Sequence, residues 1–193
     1  MAKVVSPLMG IKANGQLGKT LVYFNWKGIN CVRSHVIPAN PNTTAQQGAR
    51  TKMTNAVAAF HAAGLTETDL EGWRRFAGIA ASPLTYFNRY TQYHIKAINN
   101  SETWVSMNND ATDSTVAGQI DFSVDAETGK SLSVRWGASA SYMPNTHALT
   151  EDAGTYEYAA TGETEGARIY YQFYQTGGTY VVSGIGQVDV ATS

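Results

Sequence analysis

Val116-Ala117-Gly118-Gln119-Ile120-Asp121-Phe122-Ser123-Val124 places an apolar or small residue at every second position, and Leu132-Ser133-Val134-Arg135-Trp136 repeats the pattern. Successive side chains of a strand point to opposite faces, so each stretch reads as a β-strand with one buried face. Tyr156 with Tyr158, Ile169-Tyr171-Phe173, and Tyr180 with Val182 continue the period of two. Gly129, Gly154, Gly162, Gly166, Gly177-Gly178 and Gly184 punctuate it. Roughly seven short strands in residues 101–193 predict an antiparallel β-sandwich of the immunoglobulin or fibronectin type III kind. Cys31 is the sole cysteine, so no disulfide crosses the sheets and the fibronectin-like description fits better. Trp136 is the expected core anchor, and Tyr170-Tyr171 with Tyr174 put aromatics on both faces of one strand.

Upstream the period changes to that of a helix. Met53, Val57, Phe60 and Gly64 fall at helical spacing and predict an amphipathic helix over 43–63, with Asn42 or Thr43 as its cap and Gln46 completing a capping box. Thr66 with Asp69 makes a second box, ahead of an apolar face of Leu70, Trp73, Phe76 and Ala77. Ser82-Pro83 predicts the start of a third helix, lined by Leu84, Phe87, Thr91, His94 or Ile95, and Ile98. Before the helices, Thr20 to Trp26 is rich in β-branched and aromatic residues, Lys27-Gly28 supplies a turn, and Ile29 to Ile37 returns as a second strand. Residues 1–18, broken by Pro7, Gly10, Gly15 and Gly18, read as an extended arm. The predicted class is α+β: an N-terminal arm and β-hairpin over 1–42, a helical domain over 43–100 and a sandwich over 101–193.

The chain of 193 residues is 43% hydrophobic but only 15% charged, against about 25% in typical domains. Sparse charge with 18 Gly and 11 Tyr suits a surface that meets other protein. No apolar run approaches the ~18–20 residues of a membrane span, and no long apolar region follows the basic start, so neither a span nor a signal peptide is expected. The net charge of −1 hides an asymmetry: residues 1–100 carry eleven Lys and Arg against three acids, and residues 101–193 carry three against twelve. Balances of +8 and −9 suggest two domains, and allow head-to-tail docking between copies or a basic half facing an acidic partner.

Chemistry is poorly represented. His35, His61, His94 and His147 show no H-x-x-x-H spacing, and Cys31 has no nearby base, so neither a zinc hydrolase nor a nucleophilic thiol is indicated. Gly15-Gln16-Leu17-Gly18-Lys19-Thr20 ends like a phosphate-binding loop, but Ala13 breaks the spacing and a strand follows where a helix should open. Asn108 to Asp113 resembles the start of a calcium loop, but lacks its glycine at the sixth position and has Gln119 where the bidentate Glu belongs. Arg74-Arg75, Arg89 and Lys96 form the best case for a nucleic-acid patch, which the acidic second half opposes. The tyrosines of the sandwich are candidates for stacking on a sugar or a receptor. No catalytic, cofactor or metal residue is assigned, and no enzyme is expected.

The remaining feature is Pro38-Ala39-Asn40-Pro41-Asn42-Thr43-Thr44-Ala45-Gln46-Gln47-Gly48-Ala49-Arg50. Two prolines stiffen a connector, and Gln46, Gln47 and Arg50 follow within one helical turn as polar contacts. Together with Gly15 to Gly18, Trp26-Lys27-Gly28, Val32-Arg33, Thr66-Glu67 to Trp73, and Phe87-Asn88-Arg89, this run resembles a family of uncharacterised proteins of tailed bacteriophages and prophages. The resemblance covers about residues 10–95 and implies a virion component: a capsid-surface, neck or tail protein. Partners would be other virion proteins and copies of itself, with neither membrane nor nucleic acid. Tyr23, Trp26, Arg33, Asn40, Gln46, Gln47 and Arg50 are the expected protein-contact residues. A carbohydrate- or receptor-binding module is the alternative expectation, and a small DNA-binding protein a more distant one.

Overall fold

Strands β1 (Ala2–Lys3), β2 (Gly15–Leu17), β3 (Leu21–Trp26) and β4 (Ile29–Ser34) form one antiparallel sheet in the order β1-β4-β3-β2. It belongs to the first of two compact units, residues 1–43 and 44–193, in a computed structural model that describes residues 2–3, 14–37, 39–40, 42–81, 84–108 and 112–193. Lys27 and Gly28 both take positive φ, 50° and 82°, as a two-residue hairpin turn of the primed kind requires. The Asn25 side chain accepts the Gly28 N–H at 2.9 Å and closes that turn. The expected arm is corrected in two places. Gly18 and Lys19, at φ 54° and 55°, turn β2 against β3, and Ala2–Lys3 pairs with Val32 and Cys31. Glycines that exclude a helix thus serve a second hairpin, so the predicted two-stranded hairpin has four strands. Pro7, Ala13, Pro38, Pro41, Ser82, Pro83 and residues 109–111 lie outside the described residues, and with them the proline pair of the connector and the middle of the calcium-like run.

The second unit opens with α1 (Thr44–Ala62), α2 (Glu67–Gly78) and α3 (Tyr86–Asn99). Asn42 takes a left-handed φ of 49° just before α1, a conformation that asparagine tolerates better than most residues. Gly64, at φ 61°, follows its end as helix-terminating glycines do. The α2 capping box forms as predicted: Thr66 Oγ1 accepts the Asp69 N–H at 3.3 Å, and Asp69 Oδ2 accepts the Thr66 N–H at 3.0 Å. α3 starts later than predicted, because Thr85 caps it by accepting the Asn88 N–H at 3.2 Å.

Seven strands follow: β5 (Gln119–Asp125), β6 (Leu132–Gly137), β7 (Asn145–Ala148), β8 (Thr150–Asp152), β9 (Thr155–Thr161), β10 (Arg168–Gln175) and β11 (Gly186–Asp189). They make two antiparallel sheets, β5-β9-β8 and β11-β10-β6-β7. Ile120, Phe122, Val124, Tyr156 and Ala160 of the first sheet share one buried core with Leu132, Val134, Trp136, Ile169, Tyr171 and Phe173 of the second. Trp136 donates its indole N–H to Glu163 Oε1 at 2.8 Å, so the expected core anchor is also satisfied. Two expected strand positions are corrected. Val116 to Gly118 is a bend and turn before β5, and Tyr180 to Val182 makes only an isolated bridge to Tyr174.

The β11-β10-β6-β7 sheet is covered on both faces. Tyr171 points into the sandwich core, whereas Tyr170 and Tyr174 pack under the helices with Phe60, Trp73, Phe76, Tyr90, Val182 and Ile185. Trp104 lies between these two clusters and donates its indole N–H to Tyr90 Oη at 3.0 Å. α2 approaches closest where Gly72 meets Gly184 and the Ile185 N–H donates to the Gly72 carbonyl at 3.0 Å. Helices and sandwich therefore form one three-layered α+β unit, held together by an aromatic seam.

Candidate functional site

The first unit is built as a surface. Among its described residues Cys31 is the one buried side chain, with its thiol 3.6 Å from the Ile29 carbonyl. Pairing register places Leu17 opposite Leu21 and Tyr23 opposite Val32 on one face. It places Phe24 opposite Cys31 and Trp26 opposite Ile29 on the other. Both faces are therefore apolar, and Trp26 remains 59% exposed and Ile29 43% exposed, beside the hairpin turn. Arg33 lies with its guanidinium 5.7 Å from the Phe24 ring centre, on the Trp26 face. Tyr23 and Trp26, predicted together as contacts, thus serve opposite faces of the sheet.

Asn40 is exposed in the connector, and Gln46, Gln47 and Arg50 are exposed in the first two turns of α1. Residues 44–51 bury no side chain, and the first buried residue of the helix is Ala56. The three polar contacts expected on the helix are thus on one exposed helix end, in a different compact unit from Tyr23, Trp26 and Arg33.

The other candidates are engaged within the fold. Arg74 pairs with Glu67 and Glu71 at 2.7 and 3.0 Å, Arg75 reaches the Ile185 carbonyl, Arg89 lies 4.1 Å over Phe76, and Lys96 lies 5.1 Å from the Tyr93 ring centre. Tyr156 and Tyr171 are core residues, and Tyr158 stacks on His147 at 3.8 Å. His94 is buried beside Tyr90 and Trp104, and burial pushes its imidazole below the ordinary histidine range. Asn108 and Asp113 pair with Asp125 and Asp121 of β5, so the described part of the calcium-like run extends the sheet. Among the described residues no three His, Cys, Asp or Glu side chains converge on a metal-sized site.

One surface escaped the sequence reading. On the outer face of β5-β9-β8, Asp121, Asp125, Glu157 and Asp152 stand on the same side of the sheet, in the register Ser123–Glu157–Thr150 and Asp125–Thr155–Asp152. Asp113 faces Asp121 directly, a like-charge pairing that costs stability in a sheet. The three strands carry five acids and no Lys or Arg. A groove of about 460 Å³ runs over this face, lined by Asp121, Ser123, Thr150, Glu157 and Ala159. Its signal lies in the polar positions of the alternation, Asp121, Asp125 and Glu157, whose common face follows only from the pairing of β5 with β9.

No family model and no curated protein sequence matches the chain. Among solved structures, the sensor domain of the anti-sigma factor RsgI4 of Pseudobacteroides cellulosolvens is similar at 10% identity and a TM-score of 0.35, over 47% of this chain and 98% of that one. The endo-beta-1,4-mannanase of Thermotoga petrophila is similar at 12% identity and a TM-score of 0.31, over 59% of this chain and 25% of that one.

Proposed function

We propose that this chain is a non-enzymatic structural component of a tailed-bacteriophage particle, a capsid-decoration, neck or tail protein. It assembles through its first unit and projects the sandwich. The observation that carries this reading is the first unit itself: a four-stranded sheet, apolar on both faces, with one buried side chain among its described residues. A sheet of this size gains its stability from what covers it. The family resemblance of residues 10–95 supplies the kind of assembly. We take the sandwich to be immunoglobulin-like. The order β5-β9-β8 against β11-β10-β6-β7 fits strands B-E-D against G-F-C-C′, and the Asp113–Asp121 bridge stands where strand A pairs with B. Trp136 then falls on strand C, where the immunoglobulin fold keeps its core tryptophan.

Mass spectrometry of purified phage particles tests the reading. Peptides of this chain at a fixed ratio to the major capsid protein are expected, and their absence from intact particles sinks it. Removal of residues 1–43 is expected to abolish incorporation.

A further inference from the structure

The β3–β4 hairpin ends in a tip of unusual chemistry. Trp26 and Ile29 face each other across the turn and stay largely exposed, with Lys27 between them. Residues 1–43 hold five Lys and Arg and no acid. The acidic face of β5-β9-β8 is its complement: none of Asp121, Asp125, Asp152 and Glu157 has a Lys or Arg within 4.0 Å among the described residues. Its groove also exposes Ala159, which stands opposite Asp121 on the same face.

We propose that the hairpin tip Trp26-Lys27-Gly28-Ile29 of one copy docks into the acidic groove on the β5-β9-β8 face of a second copy. This rests on the reading of the chain as an assembly component and names its partner. The Trp26 ring lies over Ala159, and the Lys27 ammonium sits between Asp121 and Glu157, relieving the repulsion that those acids and Asp113 build up. Tip and groove are different surfaces, so the contact is heterologous. Each docked copy presents a new groove, and repetition gives a ring or a filament. Each contact is small, so the assembly draws its strength from repetition.

The full chain is studied by sedimentation velocity over a concentration series. In low salt, concentration-dependent oligomers are expected, and they dissociate at about 1 M salt, where the screening length is about 3 Å. The tip variant Trp26→Ser/Lys27→Asn and the groove variant Asp121→Lys/Glu157→Lys should each associate at least tenfold more weakly. Asparagine tolerates the positive φ of Lys27, Trp26, Lys27 and Glu157 are exposed, and Asp121 is half-buried on the outer face of the sheet with no part in the core, so both variants are expected to keep the wild-type circular dichroism and a cooperative melting curve. A mixture of the two retains one intact tip and one intact groove, and should form a 1:1 dimer and nothing larger. A wild-type chain that stays monomeric, variants that associate like the wild type, or a mixture that stays monomeric overturns the proposal. Particle mass spectrometry separates this from the broader reading. Presence in particles with no self-association overturns the docking alone, and self-association with absence from particles overturns the virion role alone.

Discussion

His94 sits on α3 beside the paired Tyr90 and Trp104 rings, buried at the joint of helices and sandwich. Burial disfavours its charged form, so its folded-state pKa lies below the unfolded value of about 6.5. Between those two values the unfolded chain binds a proton that the folded chain does not, so stability falls as pH drops below about 6.5. Urea midpoints at pH 8 and pH 5 should show this loss, and His94→Phe should reduce it. An unchanged pH dependence in the variant would show that carboxylates alone set the acid sensitivity. Glycine at 184 is demanded by a neighbour. A Cβ there would lie 2.6 Å from both the Gly72 carbonyl carbon and the Trp73 nitrogen, which are backbone atoms of a helix. Gly184→Ala must push α2 away from the β10–β11 connection, and overpacking of this kind costs about 1–3 kcal/mol. Chemical denaturation measures it, and a loss below about 0.5 kcal/mol would mean that the helix layer yields freely.

The α2 cap lies on the path from sequence to fold. Thr66 and Asp69 were legible as a box because their spacing alone brings each side chain to the other's backbone N–H. Thr66→Ala should cost about 1 kcal/mol and lower the melting temperature accordingly. The helices and the apolar strands β6 and β10 were legible for a similar reason, since periodicity reports which face is buried. β7 and β8 were not, because Asn145–Ala148 and Thr150–Asp152 bury no side chain. They are short edge strands held by backbone pairing, which leaves no apolar alternation to read. The third helix was expected to start at Ser82-Pro83, but α3 begins at Tyr86, because Thr85 offers the side-chain oxygen that the first turn needs. Of the candidate site, the exposed aromatic hairpin was legible in Tyr23, Trp26 and Lys27-Gly28. Its two-sided character was not, since that depends on the register with β2. The acidic face needed the topology as well: Asp121 and Glu157 are 36 residues apart in sequence and meet only because β5 pairs with β9.

The charge asymmetry of the sequence takes on a different meaning once the units are known. The helices and the sandwich share one unit, 44–193, so the boundary that matters for stability falls near residue 43, where an acid-free sheet gives way to a layered body with two apolar clusters. The second unit holds the aromatic seam and every buried large side chain that supports a cooperative core. The first holds a sheet whose described residues bury one cysteine. Chains this short rarely fold without a metal, disulfide or partner. The fragment 44–193 is therefore expected to melt cooperatively within about 2–4 °C of the full chain, a difference of less than about 1 kcal/mol. The peptide 1–43 alone is expected to show no cooperative transition, and to gain strand signal only when it meets the surface it covers in the assembly. Differential scanning calorimetry of the full chain and both fragments decides this. A cooperative melt of 1–43 by itself would place its stability within its own sheet, and a drop of many degrees in 44–193 would make the first unit part of the core.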